Sequence, residues 1–114
     1  MSAYLDYLNG ETARLKGKAA ALKAESREDE ATLCRIETNI DEICATIYNV
    51  CMKLAKGDAF TALYLEKLDR LPGGWAESRQ QAIAHGDDCK AVIEDIKLTT
   101  LARNRARFLE LKEV

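Results

Sequence analysis

Leu22-Lys23-Ala24-Glu25-Ser26-Arg27-Glu28-Asp29-Glu30-Ala31-Thr32-Leu33 is the stretch whose reading decides the fold. It holds no glycine and no proline, and its Ala, Glu and Lys residues are strong helix formers. Read as helix, it fuses the apolar pattern on either side into one element. Leu5, Leu8, Thr12, Leu15, Ala19, Leu22, Ser26, Asp29, Leu33, Ile36, Ile40, Ile43, Ile47, Val50 and Leu54 follow one another at strictly alternating steps of three and four. Eleven of these fifteen positions are Leu, Ile or Val, which is the heptad seam of a coiled coil. The spacing predicts a single helix over about residues 3–55, roughly 80 Å long at 1.5 Å per residue. Ser26-Arg27-Glu28-Asp29 also resembles a capping box, which would start a second helix at this point. With no glycine or proline beside it, the unbroken reading is favoured.

The seam changes character along its length. Around Glu11, Lys16, Lys18, Lys23, Glu25 and Glu30 the flanks are charged and the apolar stripe is narrow, which suits a two-helix seam. From Leu33 onward, Cys44, Tyr48, Cys51 and Met52 widen the stripe, which suits burial among several helices.

Beyond the seam the signals shorten. Lys56-Gly57-Asp58 reads as a helix end followed by an N-cap. A short helix is expected over about residues 58–71, with Phe60, Leu63, Tyr64 and Leu68 on its apolar face. Leu71-Pro72-Gly73-Gly74-Trp75 reads as the clearest loop. Another helix follows from about Trp75, and His85-Gly86-Asp87-Asp88 supplies a stop and a new start. The last helix is expected over about residues 87–112, with Ile93, Ile96, Thr100, Leu101, Asn104, Phe108 and Leu111 near one face. Matching lengths sends 58–71 down the first helix, 75–85 back up and 87–112 down again. The expected fold is all-α: one very long N-terminal helix with shorter helices packed on its C-terminal half. Residues 1–30 would then form a protruding coiled-coil arm and residues 31–114 a helical bundle.

Composition sets the outer bounds. A chain of 114 residues makes about one domain with one modest core. Its formal net charge of −2 provides no global field towards nucleic acid or membrane. No apolar run reaches the length of a membrane span, and Met1-Ser2-Ala3-Tyr4-Leu5-Asp6 lacks the basic and apolar regions of a signal peptide. A cytoplasmic setting is expected, with the four cysteines as reduced thiols.

The residues that could carry chemistry are few. Cys34, Cys44, Cys51, Cys89 and the single histidine, His85, are the possible metal ligands, and no Cys-x-x-Cys pair occurs among them. Cys44 and Cys51 lie two helical turns apart, about 10 Å along an axis, too far to share one tetrahedral ion. A di-iron carboxylate bundle needs Glu-x-x-His, and Ala82 stands three residues before His85. Gly73-Gly74 lacks the Lys and Ser/Thr of a phosphate loop. No catalytic residue, cofactor site or metal site is assigned. Lys97, Arg103, Arg105, Arg107 and Lys112 give the last helix a basic character that could serve nucleic acid, but cations near a helix C-terminus are also favourable by themselves.

The expected function is therefore a non-enzymatic structural or interaction module. Its partner would be a second copy of the chain or another helical protein, with nucleic acid as the alternative and no membrane. The expected interface is Leu5, Leu8, Thr12, Leu15, Ala19, Leu22, Ser26, Asp29, Leu33 and Ile36, paired antiparallel about a two-fold axis between Ala20 and Ala21. Ala19 would meet Leu22, Ser26 would meet Leu15, and Thr12 would meet Asp29.

Overall fold

The computed structural model of the chain describes residues 2–112. Five α-helices account for most of them: α1 (Ala3–Ala24), α2 (Glu28–Leu54), α3 (Gly57–Asp69), α4 (Pro72–Ala84) and α5 (Asp88–Leu111). The protein is all-α, with no strand among the described residues.

The long N-terminal helix is two helices. The chain turns at Glu25-Ser26-Arg27, and Ser26 adopts the left-handed conformation with φ 63°. Two hydrogen bonds close the end of α1: the Arg27 amide donates to the Leu22 carbonyl at 2.8 Å and the Ser26 amide to the Lys23 carbonyl at 3.0 Å. This is the Schellman pattern, which satisfies the orphan carbonyls of a helix end. Ser26 thus ends one helix, and its side chain does not cap the next; the N-cap of α2 is Arg27, without a side-chain cap bond. Glu28, Asp29 and Glu30 place three carboxylates in the first turn of α2, where the helix dipole favours them. The same closure recurs between α4 and α5. Gly86 has φ 70°, Asp87 donates to the Ala82 carbonyl at 2.8 Å, and Gly86 donates to the Ile83 carbonyl at 3.1 Å. That second turn is the one the glycine announced.

The expected direction of the last elements also changes. Pro72 occupies the first turn of α4, where its fixed φ is already helical, and Gly73 and Gly74 continue the helix. The anticipated loop is only Arg70-Leu71. Paired contacts give the directions. Tyr48 packs on Phe60, and the Tyr64 hydroxyl donates to the Cys44 carbonyl at 3.0 Å, so α3 runs antiparallel to α2. Arg79 pairs with Asp95, so α4 runs antiparallel to α5. Arg103 reaches Glu37 and Asp41 while Phe108 packs near Tyr48, so α5 runs parallel to α2. Hence α4 continues in the sense of α3, and α5 ascends beside α2.

The molecule is flat, 44 × 34 × 21 Å, and its short dimension equals about two helix diameters. An 80 Å rod has no place in it. Instead α1 folds back along α2. Leu15, Ala19 and Leu22 form a small cluster with Ala31 and Cys34. Tyr4 and Leu8 join Ile40, Cys44, Tyr48, Cys51, Tyr64, Leu68, Leu101 and Phe108 in the main core. The expected arm of residues 1–30 is therefore the first half of a helical hairpin, as far as it lies within the described residues. Closing a three-residue turn inside one chain costs far less entropy than recruiting a second molecule, so the seam finds its partner at home.

Candidate interaction surface

The ten expected interface residues fall into three groups. Leu8, Leu15, Ala19 and Leu22 are buried within the chain by α2 and the main core. Leu5 and Thr12 are half-buried on α1, and Leu33 and Ile36 are half-buried on α2. Ser26 and Asp29 are exposed at the turn and the first turn of α2.

The inward face of α2 is unexpectedly polar. Cys34, Thr38, Asp41, Cys44, Tyr48 and Cys51 all point inward. Asp41 is fully buried; its Oδ1 accepts from Asn104 Nδ2 at 2.7 Å and from Arg103 Nη2 at 2.9 Å, while Oδ2 has no partner. Burial raises the Asp41 carboxyl above its ordinary value, against the lowering effect of these two donors. The Asn104 carbonyl in turn accepts from the Tyr7 hydroxyl at 3.3 Å, and Arg107 lies over the Tyr7 ring. Tyr4 and Tyr64 share a 2.7 Å hydroxyl hydrogen bond above the Cys44 carbonyl. Burial pushes the Cys44 thiol up to about 11 and holds both tyrosines well above their usual range. The Cys44 thiol and the Tyr4 and Tyr64 hydroxyls are therefore uncharged at neutral pH, which makes them poor nucleophiles or bases.

The outward face of α2 is the reverse. Ile36, Ile43, Ile47, Val50 and Leu54 form a stripe at steps of seven, four, three and four, on one side of the helix. Ile43 is 38% exposed, Val50 49% and Leu54 68%. Of the seam residues on α2, Ile40 turns fully inward, at 2% exposed, and half-buried Ile47 packs against the main core. Ile43, Val50 and Leu54 therefore meet solvent, while Asp41, Cys44 and Cys51 lie in the interior. Thr32, Asn39 and Thr46, each seven residues apart and all exposed, border this stripe with uncharged polar groups, and Lys53 ends the row.

Other surfaces are less organised. A cleft of about 590 Å³ opens at one end over Tyr48, Phe60, Leu5 and Met52, with Asp6, Asn49 and Lys112 at its rim. Ser2 and Asp6 also line it, and Ser2 Oγ accepts from the Tyr48 hydroxyl at 3.0 Å. Among the described residues no group of three His, Cys, Asp or Glu side chains is placed to hold a metal ion. Cys89 is exposed, while Cys34, Cys44 and Cys51 are buried. Four basic residues of α5 are engaged: Arg103 with Asp41 and Glu37, Arg105 with Asp69, Arg107 with Glu110, and Lys97 with Glu94.

Sequence reasoning identified the stripe but not its orientation. The wider apolar content around Cys44, Tyr48 and Cys51 was the signal that α2 turns that face to the core. No family model, curated protein or solved structure matches the chain. No helix among the described residues is long and apolar enough to cross a membrane.

Proposed function

We propose that the chain is a non-enzymatic protein-interaction module whose working surface is the outward face of α2. The observation that carries this reading is the inversion of that helix. A helix normally buries its Ile, Val and Leu and exposes its acids; here Asp41 is fully buried, while Ile43, Val50 and Leu54 remain exposed. A contiguous apolar stripe on a folded protein marks a surface that another molecule covers. Helical spacing along the stripe suits a partner helix laid beside it. Self-association is the simplest use of such a face, and four unpaired thiols support a reducing, cytoplasmic setting. Compared with the expected seam on residues 5–36, the interaction moves to the second half of the same periodic pattern.

The test is position-specific photo-cross-linking in the cells that make the protein. A benzoylphenylalanine at Thr46, beside the stripe, is expected to give a discrete adduct. The same group at Ala106, exposed on α5, is expected to give none. Equal labelling from both positions, or none from Thr46, overturns the reading.

A further inference from the structure

We draw no further inference here: the strongest candidate, the cleft of about 590 Å³ at one end of the bundle over Tyr48 and Phe60, carries nothing, because Asp6 and Lys112 set opposite charges at its rim and nothing in the structure shows what fills it.

Discussion

Ser26 and Gly86 perform one backbone task with different side chains. Both sit in the left-handed region at the end of a helix, with φ 63° and 70°. For glycine this conformation costs nothing, whereas a residue with a Cβ pays about 1 kcal/mol. Nothing lies within 4 Å of a Cβ built on Gly86, so the cost of a substitution there is purely conformational. Ser26→Gly is expected to stabilise the protein by about 0.5–1 kcal/mol, and Gly86→Ala to destabilise it by about 1 kcal/mol or more. Urea denaturation of the two variants measures both. Asp41 is the other residue with a testable signature. Its carboxyl is raised above the ordinary 3.8 chiefly by burial. Being an acid with a raised folded-state value, it contributes most below the unfolded value, and that contribution falls as pH rises through the folded one. Asn is nearly isosteric with the protonated acid and does not titrate. Native protein is therefore expected to lose stability relative to Asp41→Asn as pH rises from about 3.5 to 7, by thermal denaturation. A difference that grows in the native protein's favour over this range contradicts the assignment.

At the scale of elements, the sequence showed helices readily and their ends unevenly. The apolar spacing located α3, α4 and α5 to within a few residues, and Gly86 marked the turn before α5. The turn at Ser26 carried no glycine, only the capping-box resemblance of Ser26-Arg27-Glu28-Asp29, because a serine in the left-handed region has no compositional signature of its own. The 3–4 seam also could not show which helix face turns inward. That choice depends on the rings contributed by α3 and α5: Tyr64 and Phe108 pack against Tyr48 and so draw the Tyr48 face into the core. All five stripe residues stood in the seam, but only Ile36 was among the expected interface residues, and the orientation required the tertiary partners. The hairpin reading has its own check at this scale. Leu15 is 1% exposed between α1 and α2. Leu15→Ala is expected to cost about 2–5 kcal/mol of folding stability. Because the contact lies within one chain, that loss should be independent of protein concentration in chemical denaturation. A loss that disappears on dilution would place Leu15 between molecules instead.

For the whole molecule, shape is the informative quantity. A compact chain of this length has a radius of gyration of about 13 Å, and this one has 15.5 Å. The excess reflects a slab about two helices thick. Small-angle scattering at low micromolar concentration is expected to return a value near 15.5 Å for the monomer. A value above about 20 Å would indicate the extended rod that the unbroken helix implies.

The slab also makes α4 depend on one neighbour. Apart from Trp75, which reaches the main core, α4 rests on α5 alone. Ala82 is its only buried residue, and Ile83 on the same helix is 50% exposed. A helix held on one side can detach while the rest of the bundle stays folded. Amide hydrogens of residues 74–84 should accordingly exchange with deuterium well before those of α2. Limited proteolysis should cut first within α4 or beside it, leaving α1, α2 and α3 as one fragment. In a crowded solution the same detachment would let α4 of one molecule settle on α5 of another, an exchange that needs no new contact to be invented.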